Sequence, residues 1–265
     1  MGPEQKVVVI TGAGRGIGKA LAVAFSERRA KLVLCGRDLE ALRNVSNIVR
    51  QKADDVMVSA VDVGDWNQVS ALPDKVLNQF GAIDILVNNA GIAIYKSFLD
   101  TSNQDWERVI DTNLMGVLRC CKAVLPAMLQ AREGVIVNVA STAGLHGVPN
   151  LSIYSASKFA IVGFTQSLAA EVRDRGIKVY AVCPGPTNTD LHRSIVGEKA
   201  ALSAQPPEKV AEKTVSVVSG ETRLAPGGAI VVDGLDRNSA PISSRNAWIN
   251  PVRRVLKALC LPGRR

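Results

Sequence analysis

The regular alternation of short apolar runs with longer amphipathic stretches constrains the fold of this chain more than any other feature. The short runs are nearly continuous and rich in β-branched residues, which is typical of parallel strands covered on both faces. We predict strands at residues 6–10, 31–35, 56–61, 83–88, 134–140, 177–183 and 229–232. We predict helices at residues 17–28, 39–52, 66–80, 104–130, 154–173 and 208–218. This pattern predicts an α/β fold with a doubly wound parallel sheet of about seven strands and helices on both faces.

The chain is predicted to form one domain with an appended tail. No composition break or internal repeat divides residues 1–237, and 265 residues are enough for one large core. The composition, 47% hydrophobic and 21% charged, excludes a largely disordered protein. No uninterrupted apolar run reaches the roughly 18 residues that span a bilayer, and the first residues lack the pattern of a secretory signal. We therefore expect a cytoplasmic protein with a catalytic domain at residues 1–237 and a tail at residues 238–265.

The cysteines and histidines indicate neither a disulfide framework nor a metal site. None of the five cysteines stands in C-x-x-C spacing, and Cys35 and Cys183 lie in predicted strands, a cytosolic pattern of buried thiols. The two histidines, His146 and His192, are far apart in the sequence. Because metal sites of this kind need clustered ligands, we expect no bound metal.

A glycine-rich stretch, TGAGRGIG from Thr11 to Gly18, joins the first predicted strand to the first predicted helix. Such a turn presents backbone N–H groups and a helix N-terminus to a pyrophosphate. The spacing departs from the usual G-x-G-x-x-G, because Ile17 and Lys19 stand where that pattern needs glycine; it is T-G-x-x-x-G-x-G instead. The predicted phosphate-binding residues are Gly12, Gly14, Arg15, Gly16, Ile17 and Gly18.

Four polar residues are candidates for the chemistry. The stretch YSASK places Tyr154 and Lys158 one helical turn apart on the same face. A lysine ammonium there stabilises tyrosinate and lowers the tyrosine pKa from its usual value near 10, so the pair can exchange a proton with a carbonyl oxygen. Such pairs also occur by chance on helix surfaces. Ser141 ends a predicted strand, where a parallel sheet presents residues to its ligand, although it can also simply cap the turn that follows. Asn113 is unfavourable in the middle of a helix, which indicates a specific task.

The order and spacing of these motifs resemble the short-chain dehydrogenase/reductase family, in its branch with single-domain subunits. The resemblance also includes N-N-A-G at residues 88–91 and P-G-x-x-x-T at residues 184–189, and it runs from Lys6 to about Gly234. It implies a single-domain Rossmann fold and hydride transfer between a nicotinamide cofactor and a carbonyl carbon.

The resemblance also implies a role for each candidate residue. Tyr154 is the acid/base, Ser141 polarises the substrate oxygen, Lys158 fixes the cofactor ribose, and Asn113 holds a water that extends the proton relay. The further cofactor contacts that it implies are Asp62, Val63, Asn89, Ala90, Gly91, Pro184, Gly185, Thr187 and Thr189, together with Tyr154 and Lys158. Among these, the threonines are expected to reach the nicotinamide carboxamide.

The cofactor is predicted to be NADP(H) in preference to NAD(H). NAD sites usually offer an acid after the second strand to the adenosine ribose, whereas here Gly36 has no side chain and Arg37 follows it. Arg15 and Arg37 together can hold a 2′-phosphate through charge-assisted hydrogen bonds. Both can instead be solvated loop arginines, and Asp38 can partly neutralise Arg37.

The predicted substrate is an apolar carbonyl compound, and one with an acyl chain is among the candidates. Residues 190–207 are a short variable segment that would form a modest, partly open lid. The predicted substrate-binding residues are Ile92, Ile94, Leu145, His146 and Leu191. The chain resembles 3-oxoacyl-thioester reductases and generic carbonyl reductases about equally.

The basic tail is the source of most of the positive charge. Six basic residues and no acidic one follow Arg237, so the net charge of +8 is weak evidence for nucleic-acid binding, and we expect no such partner. Asn250 and Pro251 can start a short basic amphipathic helix. This helix either packs on the body or a sister subunit, or contacts an acidic carrier protein or a membrane surface.

The oligomeric state and two alternative functions stay open. A homo-oligomer is expected, either a tetramer or a dimer formed through the helices predicted at 104–130 and 154–173. The alternative function is a non-catalytic NADP-binding redox sensor or a membrane-peripheral adaptor. The first is disfavoured because Asn113, Ser141, Tyr154 and Lys158 are all present.

Overall fold

The fold was obtained as a computed structural model, which describes residues 4–233. The predicted tail at residues 238–265, its amphipathic helix after Asn250 and the last residues of the predicted domain lie outside the described residues. The boundary between domain and tail and the contacts of the tail therefore stay predictions.

Seven parallel strands form one sheet with the order β3-β2-β1-β4-β5-β6-β7. The strands are β1 (Val7–Thr11), β2 (Lys31–Gly36), β3 (Asp55–Ala60), β4 (Ile85–Asn88), β5 (Gly134–Val139), β6 (Ile177–Pro184) and β7 (Ala229–Val232). The order reverses between β1 and β4, which makes a crevice beyond the carboxyl ends of the strands, the usual place for a ligand in such a sheet. The predicted doubly wound Rossmann-type fold is confirmed.

Ten α-helices accompany the strands within residues 4–233. They are α1 (Gly16–Ser26), α2 (Leu39–Val49), α3 (Trp66–Ser70), α4 (Leu72–Phe80), α5 (Asn103–Ile110), α6 (Gly116–Ala131), α7 (Ser152–Glu171), α8 (Asp190–Val196), α9 (Glu198–Ala201) and α10 (Pro207–Val218). A π-helical turn, Asp111–Met115, joins α5 to α6. Short 3₁₀ turns occur at Phe98–Asp100, Thr142–Gly144 and Arg173–Arg175.

The sheet is buried on both faces because each strand alternates its side chains between two apolar layers. On β1, Val7 and Val9 belong to one cluster, whereas Val8 and Ile10 belong to the other. The first cluster includes α6 and α7, and the second includes α1, α2 and α10. This double burial explains why the strands appear in the sequence as nearly continuous apolar runs.

Two predicted helices differ from those observed. The helix predicted at 66–80 is divided at Ala71, because Pro73 occupies the first turn of α4, where its missing N–H is tolerated. The helix predicted at 104–130 is interrupted by the π turn. The short helices α8 and α9 of the lid segment were not predicted, since neither is long enough to show periodicity.

The continuous helical stretch Asn103–Ala131 is long and apolar enough to cross a membrane by length and composition alone. Within the described chain it is the one stretch that meets this test. Its inner side, which includes Val117, Cys121 and Val124, is buried against the sheet. We therefore regard it as a helix that covers the sheet, which passes the same test by its composition.

A buried polar ladder connects the two central strands to α7. The amide nitrogen of Asn88 donates to Oδ1 of Asn138 at 2.9 Å, and Nδ2 of Asn138 donates to Oγ1 of Thr165 at 2.9 Å. Thr165 in turn donates to the carbonyl of Ile161 at 2.8 Å. The three side chains are almost completely buried, so these directional bonds fix the position of the helix against the sheet.

We predict that Asn138→Ala lowers the free energy of unfolding by about 2 to 4 kcal/mol, because it leaves two buried partners incompletely satisfied. Asn88 would retain only the weak thiol acceptor of Cys121 at 3.3 Å. Chemical denaturation measures the loss. The matched control is Asn67→Ala on the exposed face of α3, which should cost less than about 0.5 kcal/mol. Equal losses in the two variants would contradict the importance of the ladder.

Candidate active site

The glycine loop forms a cradle that side chains would fill. Gly12 has a positive φ of 64°, and a methyl group added to it would lie 2.9 Å from Cα of Ala90. A methyl group at Gly18 would lie 2.0 Å from the carbonyl oxygen of Gly12, so α1 can start this close to β1 only with glycine there. The loop thus brings the N-terminus of α1 to the crevice, as the predicted phosphate site requires.

The N-N-A-G segment is bonded to the glycine loop. Asn89 donates from Nδ2 to the carbonyl oxygens of Thr11 at 2.9 Å and Gly12 at 3.1 Å. The backbone N–H groups of Asn89 and Ala90 donate to Oγ1 of Thr11 at 3.0 and 3.1 Å. The predicted cofactor residues at the ends of β1 and β4 are therefore held together by side-chain bonds as well as by the sheet.

The two predicted phosphate-binding arginines lie at the ends of neighbouring strands, joined by a bond from Ala13 N–H to the Cys35 carbonyl at 3.0 Å. The side chains of Arg15 and Arg37 are 76% and 68% exposed. Their acidic neighbours are distant, with Arg15 at 3.9 Å from Asp190 and Arg37 at 4.0 Å from Asp62. Exposed ion pairs at this distance contribute little interaction energy. Both guanidinium groups are therefore available to an incoming anion.

Asp62 and Val63 follow β3 beside the same crevice. Asp62 accepts the Gly64 N–H through Oδ1 at 2.9 Å, which makes a tight turn. Val63 is buried, and its side chain fills the space above Gly116, where a methyl group would lie 2.7 Å from it. Val63 therefore packs against the start of α6.

Ser141 and Tyr154 meet at the carboxyl end of β5. Ser141 accepts the Ala143 N–H at 3.1 Å, so the capping role weighed from the sequence is present. Its hydroxyl also lies 3.5 Å from the Pro184 carbonyl, to which it can donate. Burial raises the pKa of Tyr154 above its usual value, and the neighbouring Ser141 hydroxyl opposes this shift only in part. The single serine therefore caps a turn and contacts the tyrosine.

Lys158 is buried, with 4% of its surface exposed, and Nζ donates to the carbonyl oxygen of Val139 at 2.9 Å. Nζ lies 5.7 Å from the centre of the Tyr154 ring. Burial lowers the pKa of Lys158 to about 8. The sequence predicted that this ammonium lowers the tyrosine pKa. In the structure burial dominates both groups and disfavours both charged forms.

Asn113 has a clear structural task in the π turn. Its Oδ1 accepts the Ile92 N–H at 2.8 Å, and its Nδ2 donates to the Ile92 carbonyl at 2.9 Å and to Oγ of Ser157 at 3.1 Å. A methyl group at Gly91 would lie 3.3 Å from Oδ1 of Asn113 and 3.7 Å from Nζ of Lys158. Asn113 thus joins the end of N-N-A-G to α7. The predicted water-holding role stays a prediction.

The segment after β6 closes the other side of the crevice. Gly185 donates its N–H to the carbonyl of Val232 at 2.8 Å. Thr189 caps α8, and its methyl group would lie 3.1 Å from a methyl group added at Gly16. Thr187 is buried, and its hydroxyl donates to the Gly185 carbonyl at 2.9 Å. The Thr187 hydroxyl is thus engaged within the protein, and the contact of Thr187 with a carboxamide stays a prediction.

The predicted substrate residues lie in the segments that follow β4 and β5 and at the start of α8. Ile92, Ile94, Leu145 and Leu191 are half-buried, and His146 is exposed. The pairing of Asn150 with Tyr95, in the segments after β5 and β4, was not predicted from the sequence. Nδ2 of Asn150 donates to the Tyr95 hydroxyl at 3.1 Å, and the Asn150 carbonyl accepts the Lys96 N–H at 3.0 Å. The backbone of Asn150 has a positive φ of 62°, which asparagine tolerates. The residue type at this position is therefore the one local feature of the sequence that points to this turn.

Cys183 lies beneath the site and was assigned only as a buried thiol. Burial raises the pKa of the Cys183 thiol to about 12, and the neighbouring Ser141 N–H and Lys158 oppose this shift only in part. The thiol is therefore protonated at neutral pH and is not a nucleophile there. Within residues 4–233 no group of three or more His, Cys, Asp or Glu side chains forms a metal site.

The sequence profile described as short chain dehydrogenase matches residues 6–200. The chain therefore belongs to the short-chain dehydrogenase family, and it is an oxidoreductase of a class that binds a nicotinamide cofactor. A Thermotoga maritima relative, the 3-oxoacyl-[acyl-carrier-protein] reductase FabG, is 36% identical over 243 residues, which cover 87% of this chain and 97% of the relative. The protein of the same name from Chlamydia muridarum is 34% identical over 239 residues, 87% of this chain and 96% of the relative.

Among solved structures, the chain is similar to levodione reductase. The two superpose with a TM-score of 0.82 at 29% identity, covering 87% of this chain and 97% of the other. A short-chain type dehydrogenase/reductase from Mycobacterium marinum gives the same TM-score at 30% identity, covering 88% of this chain and 96% of the other. These likenesses extend over nearly all of the described domain.

We predict an alkaline limb in the pH profile that depends on Lys158. Its pKa of about 8 means that the ammonium is charged below that pH and loses its charge above it. In the wild type, kcat/KM for NADPH should therefore fall as the pH rises through about 8. Lys158→Arg keeps a charged group throughout the range and should lack this limb, whatever its absolute rate. A profile of the arginine variant that still bends near the same pH would contradict the assignment.

Proposed function

We propose that the protein catalyses the NADPH-dependent reduction of an apolar carbonyl compound, or the reverse oxidation of the alcohol. The observation that supports this proposal is the meeting of Ser141, Tyr154 and Lys158 at the carboxyl end of β5 beside the glycine cradle. Membership of the short-chain dehydrogenase family supports hydride transfer as the reaction class.

The residues present fit a dinucleotide. The pyrophosphate would lie over the cradle of Gly12, Gly14, Gly16 and Gly18, where added side chains would collide with the backbone or with neighbouring residues. The exposed guanidinium groups of Arg15 and Arg37 are suited to a 2′-phosphate. The remaining proposed contacts are Ile17, Asp62, Val63, Asn89, Ala90, Gly91, Tyr154, Lys158, Pro184, Gly185, Thr187 and Thr189.

The protein's own groups move the proton. When bound, NADPH supplies the hydride that the carbonyl carbon receives. Tyr154 donates its hydroxyl proton to the carbonyl oxygen, and Ser141 hydrogen-bonds to that oxygen and orients it. Lys158, whose pKa is lowered to about 8, returns a proton to the tyrosine and holds the ribose. Asn113 keeps the segment at Ile92 in place beside the lysine and is the proposed link to solvent.

The proposed substrate class is a 3-oxoacyl thioester. Two relatives that match over 87% of the chain carry a name with this activity, and the half-buried side chains of Ile92, Ile94, Leu145 and Leu191 are the proposed contacts of an apolar chain. His146 is the exposed polar contact of the proposed rim. Likeness to levodione reductase keeps a simple ketone as the second candidate. We further propose a cytoplasmic homo-oligomer, formed as a dimer or a tetramer.

A screen of NADPH oxidation tests the function. Acetoacetyl and longer 3-oxoacyl thioesters, cyclic diketones, long-chain ketones, quinones and aldehydes are the substrates to compare. We expect the highest kcat/KM with a 3-oxoacyl thioester, and Tyr154→Phe should lower kcat by at least about a thousandfold while NADPH still binds. The matched control is Tyr180→Phe, which removes a hydroxyl from a buried tyrosine of β6 in the opposite layer. Binding of NADPH without turnover of any carbonyl would instead support the redox-sensor alternative.

A second prediction concerns the choice of cofactor. Arg37→Asp replaces a guanidinium group with a carboxylate that suits ribose hydroxyls and repels a phosphate. The ratio of kcat/KM for NADPH to that for NADH should fall by roughly ten- to a hundredfold, as expected for loss of a charged hydrogen bond. Arg43→Asp on α2 is the control, since it makes the same charge change at another exposed site. An unchanged ratio in Arg37→Asp would remove Arg37 from the phosphate site.

A further inference from the structure

Gln205 joins three separate segments at the carboxyl edge of the sheet. It lies between α9 and α10, and only 6% of its surface is exposed. Its Nε2 donates to the carbonyl of Val232 at 2.6 Å and to Oγ1 of Thr187 at 3.3 Å. A carbonyl oxygen only accepts, so the short contact with Val232 identifies the nitrogen of the amide.

The backbone repeats the same connection. Thr187 and Gln205 form an isolated parallel bridge, in which the Asn188 N–H donates to the Gln205 carbonyl at 2.8 Å. The Gln205 N–H donates to the Pro186 carbonyl at 3.2 Å. The residues just before the lid segment 190–207 are thereby held against Gln205, near its end.

The hydroxyl of Thr187 is fixed by this contact. It donates its one proton to the Gly185 carbonyl at 2.9 Å and accepts from Gln205 at 3.3 Å. The Thr187 carbonyl accepts from Oγ1 of Thr189 at 3.3 Å. Gln205 therefore supports the turn that follows β6 and that carries the proposed nicotinamide contacts.

The side-chain amide of Gln205 lowers the stability of the fold through its oxygen. Within residues 4–233 its Oε1 is buried and has no hydrogen-bond partner. A buried polar atom without a partner costs about 1 to 3 kcal/mol. A leucine at this position would fill a similar volume without that cost, so the amide does not serve stability alone.

The geometry points to Gln205 as a positioning residue for cofactor binding, which holds the turn at residues 184–189 in place through Thr187 and couples it to the base of the lid. The inference rests on the proposed function, since it assumes that this turn contacts the nicotinamide. It adds a residue that touches neither the cofactor nor the substrate and acts through Thr187.

Direct titration with NADPH, monitored by nucleotide fluorescence, tests the inference in the Gln205→Leu variant. We expect the Kd for NADPH to rise about tenfold while Tm is unchanged or increases, because the substitution removes both side-chain bonds and also the buried unpaired oxygen. Gln104→Leu on the exposed face of α5 is the matched control and should bind as the wild type does. A Kd within twofold of the wild type in a folded Gln205→Leu variant overturns the inference, as does a fall in Tm that accounts for the weaker binding.

A second variant distinguishes the proposed role from a folding defect. Thr187→Val removes the hydroxyl that Gln205 supports and should raise the Kd for NADPH by a similar factor. The double variant should then bind no more weakly than either single one, because both substitutions break the same link. Additive effects, or misfolding of both single variants, would assign the contact to the stability of the fold alone. Failure of the wild type to bind either NADPH or NADH would remove the proposed function itself, a different outcome from wild-type binding that Gln205→Leu leaves unchanged.

Discussion

The position of α7 against β5 is the constraint on which the site depends, and two buried polar contacts set it. Thr165 accepts from Asn138 at 2.9 Å near the middle of the helix, and Lys158 donates to the Val139 carbonyl at 2.9 Å near the crevice. Apolar packing is not directional and would tolerate a small slide of the helix. Hydrogen bonds in a dry interior are directional and do not tolerate such a slide. Ser141 follows β5 and Tyr154 belongs to α7, so the same two contacts determine how these side chains meet.

The π turn at Asp111–Met115 extends this arrangement to the next strand. An extra residue in one turn of a helix is uncommon and often occurs at functional sites. Here it allows Asn113 to pair with both backbone groups of Ile92, much as a neighbouring strand would. The loop after β4 is irregular, and this pairing gives it the backbone partners that the sheet no longer supplies. The cradle, the lysine and the tyrosine therefore belong to one bonded framework.

Much of this framework can be predicted from the sequence, because its parts are local sequence patterns. Apolar runs of four to eight residues identify every strand to within two residues at either end, and the strand Ala229–Val232 has the predicted bounds. The glycine spacing from Gly12 to Gly18 and the Tyr154–Lys158 pair are equally local. The reversal of strand order and the meeting of strand ends follow from the α/β pattern.

The features that could not be predicted from the sequence depend on contacts between distant segments. Gln205 has a polar side chain in a segment with no periodic pattern, and only the tertiary fold brings it to Thr187 and Val232. The inward direction of the Thr187 hydroxyl depends on the same contact. The π turn has no dependable sequence signature. The prediction of a continuous helix across it therefore rested on apolar periodicity that both arrangements share.

The pKa shifts of Tyr154 and Lys158 bear on which of the two groups holds a proton before the proposed reaction. The motif alone suggested an ammonium that stabilises tyrosinate, whereas burial raises the pKa of the tyrosine and lowers that of the lysine to about 8. A proton donor must hold its proton until negative charge develops on the substrate oxygen, and a phenol with a raised pKa meets this requirement. A lysine with a lowered pKa gives up its proton more readily, so it is suited to reprotonate the tyrosine after transfer. Burial thus keeps the proton on Tyr154 in the protein alone, which is the state that donation to a carbonyl oxygen requires.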